Sequence, residues 1–365
     1  MQLYPALITD ALQTVRYPGN GKNLVEAGMV EDDIRIDGDS VSFSLVFDKP
    51  TDPFIKSMAK AAETAIHTYI SPEVKVTVNV ASRQPAAPKD APVLPGVKNI
   101  IGVSSGKGGV GKSTVASNLA VALAQEGYKV GLLDADIFGP SMPKMFGIED
   151  EQLYIHEVDG RQLIIPQERY GVKLLSIGFV VDKEKAVLWR GSMASNALKQ
   201  LITDADWGDL DYFLIDMPPG TSDIHLTLVQ TLPITGVVVV TTPQEVALAD
   251  ARKGIAMFRE DKVNVPILGL VENMAWFTPA EHPDERYYIF GREGGVRLAE
   301  KLGVRLLAQI PLVASIADCG DNGIPIALDG SVTAQAFAHL AREVSDAVAE
   351  RNRELPPTHK VELKH

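Results

Sequence analysis

Gly106-Lys-Gly-Gly-Val-Gly-Lys-Ser-Thr114 is the stretch that decides the fold, because it lies between an apolar strand and a helix that runs to about Glu126. Its glycines let backbone N–H groups approach a phosphate chain where a Cβ atom would collide. The helix N-terminus adds its dipole and free N–H groups. Lys112 is placed to bind the β- and γ-phosphates, and the Ser113 hydroxyl is suited to Mg²⁺. The motif therefore predicts a nucleotide-phosphate site made of Gly106, Lys107, Gly108, Gly109, Val110, Gly111, Lys112, Ser113 and Thr114.

The residues around this loop alternate apolar strands with helical stretches over residues 98–365. The predicted strands are Ile100 to Ser104, Val130 to Asp134, Phe213 to Asp216, Val237 to Thr241, Ile267 to Val271 and Leu306 to Ile310. Runs that are apolar on both faces are typical of buried strands in a parallel sheet with helices on both sides. We therefore predict an α/β fold with a doubly wound, mostly parallel sheet.

A small α+β domain is predicted for residues 1–80. Its elements are helices in Tyr4 to Val15 and Pro53 to Tyr69, two strands around a Gly-Asp turn in Ile34 to Phe47, and a strand at Val74 to Val80. Residues 81–97 then place four prolines among alanines, which is typical of a semi-extended spacer. We predict a linker there, between the small domain and the nucleotide-binding domain.

Chain length and net charge limit the possible domain organisation and partners. A chain of 365 residues is longer than one core usually supports, so two domains are expected. The net charge of −12 and the absence of any run of Lys and Arg argue against partners such as nucleic acid or an anionic membrane. The longest apolar runs are strand-sized, and residues 1–20 lack the pattern of a secretion signal. We expect a cytoplasmic protein.

The loop contains a second lysine, Lys107, that an ordinary phosphate-binding loop does not need. The run Lys107-Gly-Gly-Val-Gly-Lys112-Ser resembles the deviant loop of the MinD, ParA and nitrogenase iron-protein class of ATPases. In that class the early lysine reaches the nucleotide of the partner subunit. The resemblance implies a face-to-face homodimer with ATP at its interface, and catalytic roles for Lys107 and Lys112. A solvated loop lysine is the alternative for Lys107.

Two acidic positions complete the predicted site. Asp134-Ala-Asp136 follows the second apolar strand, at the sheet edge where open α/β folds bind ligands. By the same resemblance, Asp136 orients the attacking water, and Asp216 holds Mg²⁺ together with Ser113. Asp134 on its own is equally readable as an N-cap of the following helix.

Further motifs narrow the resemblance. Trp189-Arg-Gly-Ser-Met193, Asp206 to Tyr212, Asp216-Met-Pro-Pro-Gly-Thr-Ser-Asp223 and Gly269-Leu-Val-Glu-Asn-Met274 occur in the order found in Mrp/ApbC-type ATPases, and Gly21 to Val30 resembles the small domain that precedes them. The resemblance implies an ATP-hydrolysing iron–sulfur cluster carrier that passes clusters to apo-proteins as a homodimer. It also implies that Asn273 contacts adenine, although Asn273 could instead satisfy backbone groups at a strand end.

The chain departs from that family in its cysteines. Most members carry a Cys-x-x-Cys pair after the Glu-Asn-Met motif, where this chain has Trp276 to Tyr288. Clusters prefer thiolate ligands, and the chain contains one cysteine, Cys319, in a position typical of an inert, partly buried residue. Oxygen and imidazole ligands near the lost pair could come from Glu281, His282, Asp284 and Glu285, although such a stretch is more typical of a solvated loop.

Three hypotheses follow. The first is the cluster carrier. The second is a nucleotide-switched adaptor that recruits assembly factors and binds no cluster itself. The third is a positioning ATPase like MinD, against which the proline-broken stretch Arg353 to His365 lacks the amphipathic face of a membrane-surface helix. Arg190 is a candidate arginine finger that the sequence alone does not place.

Overall fold

The computed structural model describes residues 3–31, 33–50, 52–83, 93–158, 160–180, 191–279, 282 and 285–361. The chain divides into two compact units, Met1–Ala91 and Pro92–His365. The candidate ligands Glu281 and Asp284 and the candidate finger Arg190 lie outside the described residues.

In its described residues, the first unit is an α+β fold of five elements. They are α1 (Pro5–Leu12), β1 (Arg35–Asp37), β2 (Ser40–Phe47), α2 (Ile55–Tyr69) and β3 (Lys75–Ser82). The strands β1 and β2 form the expected hairpin around the Gly-Asp turn, and β3 joins β2 in parallel. Alternate residues of β2, such as Phe43 and Leu45, are fully buried against Leu12 and Ile66 of the two helices.

The second unit contains the remaining elements. Its strands are β4 (Val97–Ser105), β5 (Val130–Asp134), β6 (Tyr154–Val158), β7 (Arg161–Ile165), β8 (Gln167–Arg169), β9 (Val172–Ser176), β10 (Leu210–Asp216), β11 (Gly236–Thr241), β12 (Ile267–Glu272) and β13 (Leu306–Gln309). Its helices are α3 (Lys112–Gln125), α4 (Met142–Met145), α5 (Gly191–Thr203), α6 (Asp223–Thr231), α7 (Glu245–Arg259), α8 (Gly294–Leu302), α9 (Ala314–Asp321) and α10 (Val332–Glu354).

Eight strands of this unit form one sheet in the order β13-β12-β11-β4-β10-β5-β9-β8. Every neighbouring pair is parallel except β8 and β9 at one edge, while β6 and β7 form a separate hairpin. The predicted doubly wound, mostly parallel sheet is confirmed. The order places β10 between β4 and β5. Because these three strands are parallel, their carboxyl ends lie side by side at one end of the sheet.

Helices cover both faces of the sheet, and each face has its own core. On one face α3 and α10 pack through residues such as Leu119 and Phe337. On the other face α5, α6, α7 and α8 pack through residues such as Leu198, Leu228 and Phe258. The interior strand β11 is buried along its whole length, which is why its sequence is a continuous apolar run rather than an alternation. Among the described helices, none combines the length and apolarity that a bilayer crossing requires.

Candidate nucleotide site

The loop from Gly106 to Thr114 connects β4 to the first turn of α3, as the sequence predicts. Gly109 and Gly111 have φ values of 81° and 79°, a left-handed conformation that side-chain-bearing residues adopt at a cost. A Cβ on Gly106 would lie 2.1 Å from the backbone carbonyl carbon of Asp250 in α7. Glycine is therefore required by close packing at Gly106 and by backbone conformation at Gly109 and Gly111.

Lys112, Ser113 and Asp216 are directly bonded to one another. The Lys112 ammonium lies 2.5 Å from one carboxylate oxygen of Asp216, and the Ser113 hydroxyl donates to the other oxygen at 2.6 Å. Lys112 is 6% exposed and Asp216 is fully buried. Burial raises the pKa of Asp216, and the Lys112 ammonium opposes that shift.

A second buried carboxylate, Asp134, lies beside Asp216 on the neighbouring strand. Burial, followed by the charge of Asp216, raises the pKa of Asp134 to about 7. Asp136 is half-buried two residues further on, and burial raises its pKa as well. The carboxyl ends of β5 and β10 thus bring Asp134 and Asp136 within electrostatic reach of Asp216 and Lys112.

The segment after Asp216 runs back along the loop. The backbone N–H of Gly220 donates to the carbonyl of Ser105 at 2.9 Å, immediately before the first loop glycine. Ser222 then caps α6 in a capping box with His225, whose Nδ1 accepts from the Ser222 N–H at 3.1 Å. The Gly220 contact places the segment Met217 to Thr221 against the phosphate-binding loop.

Asn273 lies against the loop from the other side. Its side-chain amide donates to the carbonyl of Val110 at 2.9 Å, and the residue is 5% exposed. Met274, next in the chain, has a φ of 54°. Asn273 therefore satisfies a backbone group of the loop in this arrangement. Its contact with adenine stays a prediction.

A family model for the NUBPL iron-transfer P-loop NTPases matches residues 96–345. The chain belongs to that family. Residues 6–80 match a second model, that of an iron–sulfur cluster assembly protein. The resemblance inferred from the loop and the motifs that follow it is confirmed.

Relatives and solved structures of this iron-transfer P-loop NTPase agree with the assignment. An iron–sulfur cluster carrier protein of Synechocystis is 43% identical over 94% of this chain and 98% of its own length. One from Escherichia coli is 48% identical over 75% and 72%, respectively. Among solved structures, an Archaeoglobus fulgidus nucleotide-binding protein in complex with ADP is 38% identical, covers 63% of this chain and 88% of its own, and has a TM-score of 0.54.

The donor set of this P-loop NTPase fits Mg²⁺. The Ser113 hydroxyl and the Asp216 carboxylate lie next to each other, and magnesium prefers a few such oxygen ligands supplemented by phosphate and water. These two residues would hold the ion, which neutralises phosphate charge when bound. Asp134 and Asp136 add two further carboxyl groups beside these residues.

The residues do not fit an iron–sulfur cluster held by this chain alone. Cys319 is a half-buried residue of α9, and burial raises the pKa of its thiol, which disfavours the ligating thiolate. Within the described ranges, no group of three or more His, Cys, Asp or Glu side chains is arranged to hold a metal. His282 lies 3.6 Å from Glu285 as an exposed pair.

The described residues at the two ends of the segment Trp276 to Tyr288 contact one another. Phe277 and Tyr287 exchange two backbone hydrogen bonds of 2.8 Å. The Arg286 guanidinium lies over the Trp276 ring, 4.2 Å from its centroid. A cation–aromatic contact and two backbone hydrogen bonds thus stabilise the segment that stands where most Mrp/ApbC-type ATPases are expected to have their cysteine pair.

Two residues that the sequence did not single out contribute to this site. Ser176 at the end of β9 donates to Asp134, and His225 caps the helix that follows Met217 to Thr221. The apolar residues Val172, Leu174 and Leu175 could have indicated the strand that ends at Ser176. The cap was not recognised because a histidine stands where a capping box usually has Glu or Gln.

Proposed function

We propose that this chain is an ATPase that works as a homodimer in iron–sulfur protein assembly in the cytoplasm. The observation that carries the proposal is the bonded set of Lys112, Ser113 and Asp216 beneath a glycine-lined loop. A phosphate chain with its Mg²⁺ has complementary charge and oxygen chemistry to this set. ATP and Mg²⁺ are therefore the proposed ligands.

Hydrolysis is assigned to the side chains around the γ-phosphate position. Lys112 would bind the phosphates, while the Asp216 carboxylate and the Ser113 hydroxyl would hold Mg²⁺, which would neutralise phosphate charge. Asp136, half-buried and attached to the end of β5, orients water for in-line attack. Positioning and electrostatics dominate phosphoryl transfer, so a carboxylate suits that role.

The homodimer supplies Lys107 to the partner's nucleotide. Lys107 is half-buried at the start of the loop, on the same sheet edge as the three carboxylates. Closing two copies face to face would place opposite charges together and exclude water from the phosphates. The partners we propose are a second copy and apo iron–sulfur proteins or assembly factors, with neither nucleic acid nor membrane.

The cluster is cargo in this proposal. Two copies contain two cysteines in all, both Cys319, whereas a cluster is usually held by four thiolates. A carrier built from this chain therefore needs thiolates from the protein that gives or receives the cluster.

One observation favours a second candidate function, an adaptor that binds no cluster. Trp276, Phe277, Arg286 and Tyr287 are held by contacts with one another, and the sequence from Trp276 to Tyr288 contains no thiol. In this alternative, nucleotide occupancy controls recruitment of assembly factors, and the small first domain provides the attachment.

Anaerobic reconstitution with iron and sulfide separates the two functions. The carrier predicts visible absorption and bound iron in the purified dimer, or in the dimer mixed with an apo-protein. The adaptor predicts near-zero iron in both samples together with intact ATP turnover. A Cys319→Ser variant that retains any bound iron would exclude that thiol as a ligand. Absence of phosphate release by the wild-type protein would reject the ATPase in either form.

A further inference from the structure

Asp134 and Ser176 form a buried pair at the ends of two neighbouring strands. The parallel register of β5 and β9 sets the two residues side by side. The Ser176 hydroxyl donates to Oδ2 of Asp134 at 2.9 Å, and both residues are fully buried. The hydroxyl also accepts from the backbone N–H of Gly178 at 3.0 Å, which fixes its orientation.

The Asp134 carboxylate also binds the backbone at both ends of the segment that follows it. Oδ1 accepts from the N–H of Asp136 at 3.2 Å. Oδ2 accepts from the N–H groups of Ser141 and Met142 at 3.1 and 3.2 Å. One side chain therefore closes residues 135–141 into a loop and fastens that loop to the sheet.

Capping of α4 does not account for this arrangement. That helix has four residues, and a hydroxyl or amide would cap it without a buried charge. Burying a carboxylate beside a second carboxylate, Asp216, is costly unless hydrogen bonds compensate. Here two of the four hydrogen bonds, those from Ser176 and from the Asp136 N–H, lie outside the helix. The contacts serve the loop as a whole.

The loop contains the residue to which the proposed function assigns water orientation. Asp136 is half-buried at the site, Ile137 anchors the loop in the core at 3% exposure, and Phe138 is 65% exposed. The Asp136 backbone is thus held by Asp134 on one side and by the buried Ile137 on the other. Loss of the carboxylate would release the backbone directly beneath the reactive side chain.

We propose that Asp134, oriented by Ser176, is a positioning residue that fixes the loop of residues 135–141 so that Asp136 stands at the γ-phosphate. It acts through Asp136 and binds neither nucleotide nor Mg²⁺. This inference rests on the proposed function for its effect on turnover, whereas its effect on loop mobility is independent of activity.

The test uses Ser176→Ala, which deletes one hydroxyl and leaves the carboxylate, and Asp134→Asn, which keeps the shape and removes the charge. Turnover should fall about ten-fold in Ser176→Ala, the size of one hydrogen bond to a charged group. It should fall about a hundred-fold in Asp134→Asn, as expected when a reactive group is misplaced. KM for ATP should stay within about two-fold of the wild-type value in both variants, because neither change removes a contact to the nucleotide.

Two variants control for general damage. Ser176→Thr keeps a hydroxyl and should restore turnover to near the wild-type level. Ser345→Ala deletes a hydroxyl of α10 that contacts Tyr128 and Tyr212 at 3.2 and 3.0 Å, away from the site, and should leave kcat unchanged. A fall in kcat in Ser345→Ala equal to that in Ser176→Ala would overturn the positioning role.

Loop mobility is read with a spin label attached through Phe138→Cys in a Cys319→Ser background, which leaves one thiol for labelling. Electron paramagnetic resonance should show a more mobile label when Ser176→Ala or Asp134→Asn is added. Unchanged mobility in both variants would overturn the inference, even if kcat falls. Increased mobility with unchanged kcat would also overturn it. If the wild-type protein had no ATP turnover, the proposed function would be rejected. The spin label would still report whether Asp134 and Ser176 restrain the loop of residues 135–141.

Discussion

At the residue scale, Gly111 shows why the loop sequence tolerates little change. An added Cβ would lie 2.3 Å from the Asn273 amide nitrogen, which donates to the carbonyl of Val110. Gly109 has nearly the same φ, yet an added Cβ there meets no described atom within 4 Å. Both glycines thus require a left-handed backbone conformation, and only Gly111 also lacks space for a Cβ atom.

Gly111→Ala should therefore destabilise the protein more than Gly109→Ala. Both variants force alanine into the left-handed region at a cost of about 1 kcal/mol. Only Gly111→Ala also displaces Asn273 from Val110, which adds about 1 kcal/mol for one hydrogen bond. Urea unfolding of the two variants beside the wild type measures the difference. Equal losses of unfolding free energy would show that the contact with Asn273 contributes nothing.

At the element scale, α6 begins with a capping box whose second member is a histidine. His225 is 1% exposed, and among the described contacts its Nε2 has no hydrogen-bond partner. Burial lowers the pKa of His225 to about 4. Because the unfolded chain binds this proton near pH 6.5 and the folded protein does not, stability is complete above pH 6.5 and is lost as the pH falls toward 4.

His225→Gln should remove this acid sensitivity without removing the cap, because glutamine is a usual partner in a capping box. At pH 5 the unfolded-state protonation of His225 costs the wild type about 2 kcal/mol relative to pH 7. The free energy of unfolding in urea, measured at both pH values, should fall by that much less in the variant. The other titrating groups are common to both proteins. Parallel losses would mean that His225 is not buried as a neutral ring.

The elements that the sequence predicted are those whose cause is local. The strands β4, β5, β10, β11, β12 and β13 were predicted because continuous apolar runs belong to strands buried on both faces. The hairpin β6–β7 was missed because exposed residues such as Tyr154 and Ile155 leave no burial pattern to read. The short edge strand β8 was missed because its residues, Gln167 to Arg169, are polar and give no burial pattern.

The site divides in the same way. Gly106 to Thr114 lie together because they are consecutive, so their pattern was sufficient. The pairing of Asp134 with Ser176, and of Asn273 with Val110, depends on strand order, which brings together residues 42 and 163 positions apart. Periodicity contains no information on that order. The contacts follow from the fold and could not be read from the chain.

At the scale of the whole molecule, the proposed dimer makes turnover depend on protein concentration. Lys107→Ala should lower turnover by about 10³-fold, the scale seen when a cation supplied by a second protein is removed. ATP affinity of the monomer should change little, since Lys107 serves the partner's nucleotide. Steady-state phosphate release across a dilution series, with nucleotide binding measured in parallel, checks both statements.

Lys253→Ala is the matched control for that experiment. Lys253 is an exposed lysine of α7 that pairs with Asp250 at 3.3 Å, so its removal makes the same change in net charge. It should leave turnover unaffected. Full activity in Lys107→Ala, or an equal loss in both variants, would contradict the role of Lys107 across the interface.

The central claim is that the loop from Gly106 to Thr114 binds ATP together with Mg²⁺. Calorimetric titration of ATP into the wild type, Lys112→Ala and Asp136→Ala, each with and without Mg²⁺, tests it most directly. We predict magnesium-dependent binding in the wild type and in Asp136→Ala, which should hold ATP uncleaved, and severe weakening in Lys112→Ala. Absence of magnesium-dependent heat in the wild type, or wild-type affinity in Lys112→Ala, would contradict the account.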